Sequence, residues 1–240
     1  MNSRQKSILG NLRCCVREKI TSPHHLLKHF NKHCYNESMR PIVFIFIGLI
    51  LLALIAWQFR PAPAITNYPS MGIEIVAFGD SLIAGAGATA GNDLVSQLEN
   101  ELAVPIINLG KNGDTSADGL ARIDEVTAIN AKVVLVLFGG NDALKSVPIE
   151  TTRTNLETII TEIHETGAMV ILLGVRSGLL SDGYKEMYAD LAKQYNTAHV
   201  PDVLSGVFGR PQLMSDPIHP NNEGYEKILE RVAPVLKSVL

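Results

Sequence analysis

The sequence predicts an α/β domain over residues 73–240: a three-layer α/β/α sandwich built on a five-stranded parallel sheet. Three observations predict it. Short apolar runs of strand length recur along the chain and are closed by Gly or Asn. The segments between them place apolar residues at helical spacing. Strand and helix then alternate from one end of the domain to the other, an order that right-handed crossovers convert into helices on both faces of a parallel sheet.

Taken in order, "IEIVAFGD" (73–80) is a β-branched run ended by Gly79. "NDLVSQLENEL" (92–102) sets Leu94, Leu98 and Leu102 at intervals of four, one stripe of a helix. "VPIINLG" (104–110) and "AKVVLVLFGG" (131–140) read as the second and third strands. In "IETTRTNLETIITEIHETG" (149–167), Leu156, Ile159, Ile160 and Ile163 share one side, and Gly167 supplies a residue able to end the helix in a left-handed conformation. "AMVILLGV" (168–175) is the fourth strand, "DGYKEMYADLAKQY" (182–195) a helix, "AHVPDV" (198–203) a weaker fifth strand, and "EGYEKILERVAPVLKSVL" (223–240) the closing helix.

Three segments precede this domain. Residues 1–40 carry eight Lys/Arg against two acids, a net of +6. Residues 41–59, "PIVFIFIGLILLALIAWQF", contain no charge, and as a helix they would span roughly 28 Å, close to the hydrocarbon thickness of a bilayer. They are expected to be a transmembrane anchor or the apolar core of a signal peptide, with the basic flank on the cytoplasmic side. Ala62 and Ala64 offer an A-x-A cleavage pattern, and a start at Met39 would leave the short basic leader of an ordinary signal peptide. "PAPAITNYPSMG", within residues 60–72, reads as a linker. The catalytic or binding part is therefore expected outside the cytoplasm.

From Pro61 onward twelve basic residues face twenty-two acidic ones, a net of −10 that speaks against nucleic acid or anionic lipid as a charge-matched partner. All three cysteines (Cys14, Cys15, Cys34) lie before residue 41, so the exported part can hold no disulfide. His24, His25, His29 and His33 include an H-x3-H spacing, but the adjacent Cys14 and Cys15 do not match a zinc site, and no metal is expected.

In a parallel α/β sheet, ligands bind beyond the carboxyl ends of the strands. "FGDSL" follows the first strand, "NLGKNGDTS" the second, "FGGND" the third, and "SDPIHP" the last, so the unusual sequences share one rim. Asp216 and His219 stand three residues apart in a turn stiffened by Pro217 and Pro220, where a carboxylate can fix the tautomer of an imidazole base. Ser81, at a strand-to-helix junction behind Gly79, is the candidate nucleophile. Gly113, the Asn141 amide and the Ser81 N–H are candidate donors to a developing oxyanion.

These four blocks, Ser81 in "FGDSL", Gly113 in "NGDT", Asn141 in "GGND" and Asp216/His219 in "DPIHP", resemble those of the SGNH, or GDSL, hydrolases, in the family's order across residues 73–225. The resemblance is nearest to the small bacterial periplasmic branch of thioesterases, lysophospholipases and arylesterases. It implies a flavodoxin-like SGNH hydrolase fold and a serine esterase acting on esters or thioesters through an acyl-enzyme. It also implies a catalytic set of Ser81, His219 and Asp216 and an oxyanion hole of Ser81, Gly113 and Asn141. Separately, no cofactor is expected, and the chain is expected to be a monomer. The second block contains both Gly110 and Gly113, of which the family's Gly-Asp-Thr favours Gly113. The N-terminal forty residues have no counterpart in that branch.

Four apolar residues from the loops after the first and fourth strands, Leu82, Ile83, Leu179 and Leu180, are expected to receive the acyl chain. His164 is expected to be solvated on its helix and His199 to pack near the rim. Asp80 and Asp142 are read as loop-fixing residues. "GAGATAG" (85–91) does not complete a dinucleotide fingerprint, because Ala90 stands where the third glycine is needed. Two other readings remain: a carbohydrate O-acetyl esterase, against which stands the lack of tryptophan after Trp57, and a tethered binding domain without catalysis, against which stands the intact Ser, His and Asp set.

Overall fold

A computed structural model describes residues 40–58, 64–175 and 183–240 and divides the chain into two units, Met1–Pro61 and Ala62–Leu240. In the first unit the described element is helix α1 (Arg40–Gln58). Its described side chains, over 43–52, include Phe44, Ile45, Phe46 and Leu52, all exposed. Among the described residues no helix is long and apolar enough to cross a membrane. The basic stretch before residue 40, with its histidines and cysteines, lies outside the described residues, as does Ala62.

The second unit is built on five parallel strands: β1 (Glu74–Gly79), β2 (Ile106–Gly110), β3 (Ala131–Leu137), β4 (Met169–Leu173) and β5 (Ala198–Val200), in the order β2-β1-β3-β4-β5. Pairing is parallel throughout. Because successive side chains of a strand point to opposite faces, each unbroken apolar run serves two cores. Ile75 and Ala77 of β1 and Val133, Leu135 and Leu137 of β3 point to one face. Val76, Phe78, Val134, Val136 and the following Phe138 point to the other.

Helix α3 (Leu94–Leu102) covers the first face with Leu94 and Leu98, together with α9 (Asn222–Lys237), which contributes Tyr225, Ile228, Val232 and Leu236. Helix α7 (Ile149–Glu165) covers the second with Leu156, Ile159, Ile160 and Ile163, together with α8 (Gly183–Tyr195), which contributes Tyr184, Met187, Tyr188 and Leu191. The expected three-layer architecture is therefore present. Helix α7 ends as its sequence predicts, with Gly167 just beyond it at φ +85°.

Four short helices lie outside the sequence expectation: α2 (Ser81–Ala84), α4 (Ser116–Ala121), α5 (Asp124–Thr127) and α6 (Gly140–Leu144). At four to six residues they are too short to show a hydrophobic period. Of these, α4 carries a reciprocal capping box between Thr115 and Asp118.

Residues 64–72, expected as linker, and Ile73 after them are bonded to the sheet's amino-terminal edge. The Thr66 N–H donates to the Asn196 carbonyl at 2.9 Å, and the Asn67 amide donates to the His164 and Ala168 carbonyls at 2.8 and 2.9 Å. The Ile73 N–H donates to the Asn130 carbonyl at 2.9 Å. His164, expected in solvent, is half-buried: its Nε2 is covered and has no hydrogen-bond partner among the described residues. Burial lowers its pKa. His199 is likewise half-buried, in the middle of β5, with its pKa lowered by the same cause.

Candidate active site

The carboxyl ends of the strands gather the candidate residues. Ser81 opens α2, one residue after the N-cap Asp80, whose carboxylate accepts the Leu82 N–H at 3.0 Å. The capping role open to a serine at a strand-to-helix junction thus falls to its neighbour. Ser81 is itself buried, 9% exposed, so its hydroxyl meets a neighbour chosen by the fold rather than bulk water. That neighbour is His219, whose Nε2 lies 3.0 Å from Ser81 Oγ across 138 residues of chain.

The histidine is set by its own turn. Its Nδ1 lies 2.7 Å from Asp216 Oδ2. Asp216 Oδ1 accepts the N–H groups of Ile218 and His219, both at 2.8 Å, so the carboxylate closes the turn with one oxygen and orients the ring with the other. The His219 hydrogen bond, followed by the bond from the Ile218 N–H, lowers the Asp216 pKa to about 2. A carboxylate on Nδ1 leaves Nε2 as the acceptor for a hydroxyl proton.

A glycine-rich loop holds this turn against Ser81. At Gly87 (φ +92°) a Cβ would lie 2.3 Å from the Pro220 carbonyl oxygen and 2.4 Å from Ser215 Oγ, so only glycine permits the approach. The Thr89 N–H donates to Asn222 Oδ1 and the Asn222 amide donates back to Thr89 Oγ1, both at 2.9 Å. Tyr225 Oη donates to the Ala86 carbonyl at 2.8 Å. "GAGATAG" is thus a seat for the histidine turn, which accounts for Gly87.

The candidate donors Gly113 and Asn141 follow the exits of β2 and β3. Gly113 has φ +81° in the turn 111–114, closed by the Asp114 N–H donating to the Lys111 carbonyl at 3.3 Å. Its N–H makes no hydrogen bond among the described residues. Gly110 lies against α2. A Cβ there would lie 2.2 Å from the Ala84 nitrogen, so its glycine lets β2 pack on α2. The Asn141 amide donates to the Asp114 carbonyl at 2.9 Å and lies 3.5 Å from Asp80 Oδ2.

Asp142 fixes the helix that carries Asn141. Fully buried, it accepts the Ser116 N–H at 2.8 Å and the hydroxyls of Ser116 and Thr152, tying α6 to α4 and α7. Asp80 is also buried, and its pKa is raised to about 7, first by that burial and further by the Asp142 and Asp114 charges, against the lowering effect of the Leu82 N–H. Both aspartates therefore hold loops, as the sequence predicts.

A cleft opens at this rim. Its polar end consists of Asp80, Ser81, Asn141 and His219, and its apolar wall of Leu82, Leu144, Val175, Leu204, Phe208 and Ile218. Gly113 is not among the lining residues; it adjoins the site through Asp114. Of the expected acyl-binding residues, Leu82 lines the cleft. Ile83 does not: it is fully buried in the core on the sheet's first face, because α2 is a single turn whose next residue points inward. Leu179 and Leu180 lie outside the described residues. Sequence reasoning missed Leu204 and Phe208, which follow the short β5; their signal was the apolar "VLSGVFG" (203–209) at the same rim.

Comparison with known proteins agrees with the arrangement. The model of the GDSL-like Lipase/Acylhydrolase family matches residues 77–227. The chain is 32% identical to Esterase TesA of Pseudomonas aeruginosa over 69% of this chain and 89% of that protein. It is 30% identical to an arylesterase of Vibrio mimicus over 68% and 88% respectively. To the Escherichia coli K12 protein named thioesterase 1/protease 1/lysophospholipase L1 it is 28% identical over 80% and 93%. Among solved structures, TesA superposes with a TM-score of 0.66 at 32% identity, covering 70% of this chain and all of that one. AlinE4, described as an SGNH-hydrolase family esterase, superposes with 0.56 at 33% identity, covering 71% and 99%. The motif blocks, the sheet order and these matches converge: the chain belongs to the GDSL-like lipase/acylhydrolase family and is an ester-hydrolysing enzyme.

Proposed function

We propose that Ser81, His219 and Asp216 perform this hydrolysis and that the Ser81 N–H, the Gly113 N–H and the Asn141 amide stabilise its oxyanion. The observation that carries the reading is the continuous relay from Ser81 Oγ to His219 Nε2 at 3.0 Å and from His219 Nδ1 to Asp216 at 2.7 Å, with its serine end in an apolar cleft. The Ser81 proton passes to His219 Nε2 as Oγ attacks the acyl carbonyl carbon. The tetrahedral intermediate collapses, the alcohol or thiol leaves with the proton from His219, and the acyl group remains on Ser81. Water then attacks the acyl-enzyme, giving its proton to the same nitrogen. The proton returns to Ser81 as the carboxylic acid departs.

The Asn141 amide has two N–H groups, and its bond to the Asp114 carbonyl employs one of them and fixes the plane of the other. A donor held in advance contributes most when charge develops on the carbonyl oxygen. The acyl chain is assigned to the wall formed by Leu82, Val175, Leu204, Phe208 and Ile218, which favours esters or thioesters with an apolar acyl group. Ester and thioester share the same tetrahedral intermediate. The names of the relatives cover both kinds of substrate, which supports action on both oxygen esters and thioesters by this chain.

The uncharged stretch 41–59 behind a basic flank supports export of the domain from Ala64 onward, with that stretch as an anchor or as a leader cleaved near Ala64. Alkaline phosphatase fused after Leu240 should then be active in intact cells. Activity there only of a reporter that needs the cytoplasm would reverse this topology.

Two substitutions test the site. Asn141→Ala should lower kcat by about 10²–10³-fold with KM nearly unchanged, because the donor acts chiefly in the transition state. A raised KM at full kcat would instead make Asn141 a substrate-binding residue. Phe208→Ser should reduce the preference for octanoyl over acetyl p-nitrophenyl esters, in kcat/KM, by about 10-fold, the loss expected when roughly two methylenes lose apolar contact. An unchanged ratio in the folded variant would place the acyl chain elsewhere.

A further inference from the structure

Arg122 follows α4 and takes no part in the reaction described above, yet its side chain is only 10% exposed. Each of its three guanidinium nitrogens donates a hydrogen bond. Nη2 donates to the Gly79 carbonyl at 3.1 Å, Nε donates to Asp114 Oδ2 at 2.7 Å, and Nη1 donates to Glu125 Oε2 at 3.2 Å. Its flat face lies 4.5 Å from the centroid of the Phe78 ring, and Phe78 meets Phe138 edge-on at 4.9 Å.

Apart from the ion pair with Glu125, these contacts lead to parts of the site. Gly79 ends β1 two residues before Ser81. Asp114 follows Gly113, and its carbonyl receives the Asn141 amide. Phe138 stands three residues before Asn141. The Gly79 carbonyl also accepts the Lys111 N–H at 3.0 Å, so the ladder of β1 with β2 and the guanidinium converge on one oxygen. Arg122 thus braces the segments that bear all three oxyanion donors while lying outside the cleft lining.

We propose that Arg122 is a positioning residue of the oxyanion site, its fork fixing the distance between the Ser81 N–H and the Gly113–Asn141 pair. The inference rests on the reading of those three groups as oxyanion donors. The planar guanidinium reaches two acceptors in fixed geometry while stacking on a ring; a lysine ammonium keeps the charge but does neither together. Loss of the fork lets the Asp114 turn drift from β1, and misplacement on the order of 1 Å in such a site costs up to about 100-fold in rate.

The test is kinetic. In the full chain, Arg122→Lys should lower kcat by about 10-fold or more while KM stays within about twofold. Combined with Asn141→Ala it should lower kcat far less than the product of the single effects, since both act through the same donors. A folded Arg122→Lys enzyme with normal kcat, or effects that multiply, would overturn the inference. Should Arg122→Lys fail to fold, Asp114→Asn decides: it keeps the main-chain carbonyl and side-chain shape, and kcat should still fall at least about threefold at constant KM. Unchanged kcat there would also overturn it. The underlying reading fails separately, through a normal kcat in Asn141→Ala.

Discussion

The contact between Ser81 Oγ and His219 Nε2 joins the exit of the first strand to a turn that precedes the last helix, and the rest of the site depends on that closure. A hydroxyl is a weak nucleophile until a base stands within hydrogen-bond reach, so an error of about an ångström at either turn disables the chemistry. The fold meets this constraint by rigidity at both ends. Ser81 is fixed by the first turn of α2 under the Asp80 cap, and Gly110 allows β2 to press against that turn. His219 is fixed by Asp216 within its own turn and by the Gly87 loop across from it. Glycine appears where backbones must nearly touch, and the two prolines appear where the turn must not flex.

Four aspartates surround the site, and their surroundings separate their roles. Asp216 is partly exposed, hydrogen-bonded and acidic, so it stays ionised beside the imidazole. Asp114 meets the Arg122 guanidinium. Asp142 is buried but receives an N–H and two hydroxyls, which satisfies its oxygens without a counter-ion. Asp80 is buried beside the nucleophile with a raised pKa and caps a helix. Only Asp216 faces the histidine, where the proposed mechanism has it orient the ring; the others hold the backbone around it.

Much of this is legible in the sequence, for identifiable reasons. Parallel strands buried on both faces leave unbroken apolar runs, and β1, β3 and β4 can be read from them with little error. The site residues Ser81, Asn141, Asp216 and His219 stand out because strand ends face the ligand in this architecture and because four motif blocks occur in order. Helices of four to six residues escape, since no helical period fits within them. Ile83 belongs to the core and not to the cleft because adjacent residues of one helical turn point to different sides, and periodicity over four residues cannot say which. His164 reads as solvated because a helix pattern says nothing of the segment 64–70 that packs over it. Arg122 escapes for a related reason: its partners Gly79 and Asp114 are brought to it only by the tertiary fold.

The central claim is that Ser81 is made nucleophilic by His219. The most direct measurement is labelling by a fluorophosphonate, which requires an activated hydroxyl and a pocket for tetrahedral charge, followed by peptide mapping. The label should reside on Ser81, be lost in folded His219→Ala and be strongly reduced in Asp216→Asn, with Asp80→Asn affected less than Asp216→Asn. Label on another serine, or undiminished labelling of folded His219→Ala, would contradict the account.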